Sequence, residues 1–172
     1  MKYYIVSLCE SEVHAPVISD WYKTVPVASF FRGRTWEIPF RNLLQVKDCG
    51  WEPHYPRLLF SPLPLVHESM MNIFRAYGLD YIEKQMIFLD AVHKKSELYY
   101  LIQLTQIHDR VRQEDGKYFI VSRKRELIDL DAFYIVDMQK CELVCSLALL
   151  ESMIRQGLSG IQLRPLEIRG EE

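Results

Sequence analysis

"SLALLESMIRQGLSGIQLRPL", residues 146–166, decides how the chain is read. Ser146 is a good helix N-cap, because its hydroxyl can accept from an early backbone N–H that the helix leaves unpaired. Leu147, Leu150, Met153 and Ile154 then recur at helical spacing and predict a buried stripe. Gly157 is placed to take the left-handed conformation that stops a helix, and Leu158 to fold back on the last turn. Gly160 caps the next turn, and "GIQLRPL" leaves as an extended segment. The stretch therefore predicts a helix over 146–157 and a strand after it.

The same ending occurs earlier. In "SPLPLVHESMMNIFRAYGLD" (61–80), Val66, Met70, Ile73, Phe74 and Tyr77 share one helical face, and Gly78-Leu79 closes the run. Pro62 and Pro64 suit a first turn, where a missing N–H costs nothing, so the helix is expected over about 64–77. Similarity outside the two caps is slight. The repeat reads as two helices using the same physics rather than as a duplication.

Between and around these helices the chain favours strands. "KYYIVSL" (2–8), "QMIFLDAV" (85–92), "ELYYLIQLTQI" (97–107), "AFYIVD" (132–137) and "CELVC" (141–145) are rich in β-branched and aromatic residues. Leu58 to Phe60 and "RELIDL" (125–130) are shorter strand candidates, and Asp115-Gly116 marks a hairpin turn. Residues 1–57 are loop-rich after the opening strand, with Pro16, Pro26, Pro39, Pro53 and Pro56 breaking any long element. "TWEIPF" (35–40) and "RNLLQVKD" (41–48) are its expected ordered pieces. The fold class is α+β: a single domain with a mainly antiparallel, strand-rich body and two principal helices.

Composition narrows function by exclusion. Lys and Arg number 21 against 23 Asp and Glu, a net charge of -2 that advertises neither nucleic acid nor anionic lipid as a partner. "SRKR" (122–125) is one short basic run without interleaved aromatics, which reads as a solvated strand or turn rather than a nucleic-acid site. No apolar run is long enough to span a bilayer, and "MKYYIVSLCESEVH" is a poor signal peptide, so a cytoplasmic protein with no membrane partner is expected. Cys9, Cys49, Cys141 and Cys145 are then expected as free thiols.

The residues do not spell out a reaction. Cys141-x3-Cys145 lacks the companion ligands that zinc needs, so no metal is expected. The five histidines are scattered singly, and there is no nucleophile elbow, phosphate loop or dinucleotide fingerprint. No catalytic residue, cofactor or enzymatic activity is expected. An enzyme would need a titratable cluster in a cleft, such as His108 with Asp109 and nearby carboxylates.

The aromatics are more informative. Trp21, Trp36 and Trp51 all fall in the loop-rich part, accompanied by Tyr22, Phe30, Phe31, Phe40 and Tyr55. Trp and Tyr on loops anchor protein interfaces, and they also plug cores beneath irregular chain; both roles remain open here. Trp21, Tyr22, Trp36, Trp51 and Tyr55, with Asp109, Arg110 and Arg112 of the 108–117 turn, are the candidate partner-binding residues.

From about residue 58 to 166 the chain resembles a family of bacterial immunity proteins from polymorphic toxin systems. "FSPLPLVHESMMNIFRAYGLDYIE" is similar to the family's middle segment, and "SELYYLIQLTQIHDRV" to its following strand. "LIDLDAFYIVD" resembles its strand pair around an acidic turn, and "LLESMIRQGLSGIQLRPLE" its closing helix, Gly-Leu-Ser-Gly and final strand. The resemblance implies a cytoplasmic protein that binds a cognate toxin domain and blocks it sterically, without catalysis. The alternative is a small-molecule-binding or accessory domain with an apolar pocket. The toxin, the binding surface and the oligomeric state are not given by the sequence.

Overall fold

The computed structural model describes residues 1–9, 14–79, 84–121, 127, 129–138 and 140–170. The run 122–125 lies outside the described residues. Five strands, β2 (Arg41–Gln45), β3 (Leu58–Leu59), β4 (Leu65–His67), β5 (Lys84–Asp90) and β6 (Lys95–Leu101), make one sheet in the order β2-β5-β6-β4-β3. The remaining strands are β1 (Tyr3–Leu8), β7 (Gln106–Ile107), β8 (Arg112–Glu114), β9 (Lys117–Val121), β10 (Ala132–Asp137), β11 (Lys140–Ser146) and β12 (Ile161–Arg169). They form a seven-stranded sheet ordered β7-β10-β11-β1-β12-β9-β8. Among the described residues only β2–β5, β7–β10 and β9–β12 pair in parallel, so the body is α+β and mainly antiparallel, as the sequence predicts.

The helices are α1 (Trp21–Thr24), α2 (Val27–Phe31), α3 (Met71–Ala76) and α4 (Leu147–Arg155). α3 and α4 end identically. Gly78 N–H donates to Arg75 O and Leu79 N–H to Phe74 O, while Gly157 N–H donates to Ile154 O and Leu158 N–H to Met153 O, all at 2.9 Å. These are Schellman caps with the glycine at positive φ, 68° and 91°. Tyr77 Oη and Ser152 Oγ, 2.9 Å apart, tie the two helices together. Ser146 caps α4 as expected, accepting from Leu149 N–H at 3.2 Å and donating to Asp131 at 2.7 Å.

The structure adjusts several sequence readings. The first helix is shorter than 64–77: Leu65–His67 pairs with β6, and helical turns begin only at Glu68, where the His67 ring accepts from Ser69 N–H. On α4 the buried stripe is Leu149, Leu150 and Met153, three positions that share one helical face, while Leu147 and Ile154 face outward. The 97–107 strand breaks after Leu101, and the chain resumes as β7 against β10. No strand is seen over 125–130 at the described residues Leu127, Asp129 and Leu130. Within the loop-rich part, α1 and α2 are short helices that the proline spacing hides.

The main core lies on the inner faces of the two sheets, with α3 and α4 packed into it; Met86, Phe88, Tyr99, Tyr134, Leu143 and Leu149 belong to it. A second cluster on the other face of the seven-stranded sheet gathers Tyr3, Ile5, Ile120, Phe133, Val144 and Leu166. β11 serves both. Cys141, Leu143 and Cys145 point to one cluster and Val144 to the other, which is why this strand is buried from Cys141 to Ser146.

Candidate functional site

The aromatics of the loop-rich part divide sharply. Trp21 is 8% exposed, with its indole edge-on to Phe88 at 6.0 Å; it belongs to the core and not to an interface. Tyr55 is also withdrawn: half-buried, it donates to Asp90 at 3.1 Å. Burial, reinforced by that carboxylate, pushes its phenol pKa up. Tyr22 is 79%, Trp36 71% and Trp51 42% exposed. Trp51 stacks obliquely on His14, 5.6 Å away, beside the Glu52–Lys95 ion pair.

Two exposed apolar residues join Trp36 that sequence reading did not single out as binding residues, Phe40 at 59% and Leu43 at 52%. β2 is an edge strand with alternating burial, so Asn42 and Leu44 go inward while Arg41, Leu43 and Gln45 face out. Leu43 pairs across from Ile87, and Ile87 from Leu98, making an apolar row over three strands whose inner two members are half-buried. The end of β2 at Gln45 is covered, since Ser19 N–H donates to its carbonyl and its own N–H donates to Asp20. Among the described residues, the other end, next to Phe40, has no strand on its outer side. Alternation in "RNLLQ" was the available signal, but it does not say which leucine faces out.

The 108–117 turn is organised from within. Asp109 accepts from Arg110 N–H at 2.7 Å and Val121 N–H at 3.3 Å, and its carboxylate lies 3.6 Å from Arg112. That carboxylate shapes the turn, and Arg110 and Arg112 are exposed. His108 is exposed to solvent, not gathered with Asp109 in a cleft. Asp115-Gly116 forms the predicted hairpin turn with φ of 49° and 76°.

A buried polar cluster sits at the β5–β6 turn. Asp90 accepts from His93 N–H at 3.0 Å, its ring Nδ1 at 2.8 Å, and Tyr55. Burial alone would raise the Asp90 pKa, but these hydrogen bonds outweigh it and hold the carboxyl below its usual range. The arrangement closes a four-residue turn in which Lys94 takes a positive φ, so the cluster is explained by local structure. Among the described residues, no group of three His, Cys, Asp or Glu side chains converges as a metal site requires.

A cleft of about 690 Å³ lies between α2 and the start of β11, and of the exposed aromatics Tyr22 alone lines it. Ladder geometry creates it. β1 pairs with β11 only as far as Val6↔Leu143, while β1–β12 continues to Leu8↔Ile161 and β10–β11 to Asp137↔Lys140. The two ladders therefore part beyond Val6. Val27, Phe31, Phe60 and Pro62 wall the notch, and Tyr22 and Met138 stand at its mouth. Its polar side carries Glu142, whose Oε1 accepts from Arg164 at 2.7 Å and Lys140 at 2.9 Å, together with Arg32.

Among the described residues, no helix is long and apolar enough to cross a membrane. The four cysteines are free thiols, Cys141 and Cys145 buried and Cys9 and Cys49 partly exposed. The chain matches no protein-family model, no curated protein and no solved structure.

Proposed function

We propose that this chain is a binding protein that covers a partner protein's working surface, as the resemblance to immunity proteins implies for a cognate toxin domain. The observation that carries the reading is the display of Trp36, Phe40 and Leu43 on the chain entering and forming β2. Large apolar side chains held on or beside a sheet edge lose little freedom on binding, and the aromatic ones are of the types that dominate interface energetics. The row Leu43–Ile87–Leu98 extends the patch onto the sheet face. A tight complex centred there would bury on the order of 1,200–2,000 Å² in total.

The test is a pull-down of the tagged protein from its native cells, identification of what is retained, and affinity measurement with purified components. One multidomain protein held through a single domain is expected. Trp36→Ala should weaken the complex by about 2 kcal/mol or more, roughly thirtyfold. Unchanged affinity in folded Trp36→Ala, Phe40→Ala and Leu43→Ala variants would reject this surface.

A second reading, a small-molecule-binding domain, is favoured by one observation, the cleft between α2 and β11.

A further inference from the structure

We infer that the cleft between α2 and β11 selects small amphipathic anions, a carboxylate on an apolar body, by an uncompensated positive charge opposite an apolar wall. The inference rests on the small-molecule reading and adds the ligand's chemical class.

Charge is the first argument. Three cations, Arg32, Lys140 and Arg164, line the cleft against one carboxylate, Glu142. Lys140 and Arg164 both bond the same Glu142 oxygen, so that pair of contacts already over-neutralises the acid. Arg32 has no ion-pair partner among the described residues. Arg32 and Lys140 are exposed and solvated at the rim, so a neutral guest gains nothing from them, whereas an anionic head supplies a counter-charge.

Shape is the second. Val27, Phe31, Phe60 and Pro62 make the opposite side largely apolar, with the Ser61 hydroxyl set among them, so most of the guest must be apolar. A cavity near 690 Å³ falls within the range that holds small organic ligands. The notch is also built on rigid parts. Its floor is the place where two ladders of the sheet diverge, and one wall is α2.

The arrangement assigns roles. Arg32, on the rim, meets the head group first; Arg164, held at 2.7 Å by Glu142, fixes the inner end of the cationic side. Tyr22 and Met138 at the mouth shield the apolar tail.

The experiment is calorimetric titration of the full chain with decanoate and, separately, with decan-1-ol. Decanoate is expected to bind at least about tenfold more tightly, the minimum for a charge-assisted contact. Arg32→Glu should weaken decanoate about tenfold or more and leave decanol unchanged. Ala28→Trp, a replacement at an exposed lining position, should abolish both by filling the cleft. If Ala28→Trp fails to fold, Lys140→Gln should weaken decanoate severalfold without altering decanol. Equal binding of the two ligands would overturn the charge selection while leaving the cleft a ligand site. Binding of neither would overturn both readings, and decanoate binding indifferent to Arg32→Glu and to the cleft-filling or Lys140 variant would place the ligand elsewhere.

Discussion

Arg57 reaches across the fold to the end of α4, donating from Nη1 to the Gln156 carbonyl at 2.6 Å, and its guanidinium lies 3.4 Å from where a Gly157 side chain would begin. A cation at a helix C-terminus satisfies an orphan carbonyl and complements the dipole. Gly157→Ala meets both a φ of 91° and this guanidinium, whereas Gly78→Ala meets a φ of 68° in open space. Left-handed backbone costs a side-chain-bearing residue roughly 1–2 kcal/mol. Urea denaturation should show Gly157→Ala the more destabilising of the two, and the gap should narrow when Arg57→Ala is added.

Two tryptophans separated by a short stretch of chain should behave oppositely. Trp21→Ala removes a core side chain packed on Phe88 and should cost about 3–5 kcal/mol of stability. Trp36→Ala, on the surface, should change stability by less than about 0.5 kcal/mol. Thermal melts of the two variants check this before any partner is in hand.

Tyr99 donates from its hydroxyl to the Pro56 carbonyl at 2.7 Å, with both groups buried. Tyr99→Phe leaves that carbonyl without its donor and should cost about 1–3 kcal/mol. The same change at Tyr22, whose hydroxyl is in solvent, should cost nothing measurable. Chemical denaturation of the two variants side by side makes the comparison.

Burial pushes the Cys141 and Cys145 thiols well above their ordinary range. In the folded protein they stay protonated, while in the unfolded chain they ionise near the ordinary thiol value of about 9. Their contribution is therefore fully present below about pH 9 and is lost as pH rises beyond it. Stability should fall by up to about 1.4 kcal/mol per pH unit for each thiol, and Cys145→Ala should remove its share of the slope. In thiol titration with a disulfide reagent, Cys9 and Cys49 should react in the native protein and all four cysteines only in denaturant.

What could be read from the sequence was what is decided locally. Ser146, Gly78, Gly157 and Asp115-Gly116 act through backbone geometry within a few residues, and each sits where its spacing predicts. The extent of the first helix was not local, because Leu65–His67 has a strand partner in β6 that outweighs helical spacing. The aromatics show the same limit. Trp21 and Trp36 have the same chemistry and similar surroundings in the chain, but Trp21 is buried by a strand that arrives much later. The cleft draws on α1, α2, the 60–62 loop, β1, β11 and β12, so no motif announces it. Asp109 and Tyr55 show a related limit, since sequence does not say that their own scaffold uses their polar atoms.

The position of β1 has a consequence for how the molecule is made. β1 lies between β11 and β12, so both of its neighbours emerge from the ribosome after residue 139. The five-stranded sheet, confined to residues 41–101, can assemble while synthesis continues. The opening strand must wait, with Tyr3, Ile5 and Val6 uncovered, until the last part of the chain closes around it. Late closure of such distant pairs is slow and leaves an apolar strand open to wrong partners. Loss of residues 161–169 would remove one flank of β1 and unseat the second core, leaving the earlier-formed sheet as the part best placed to persist.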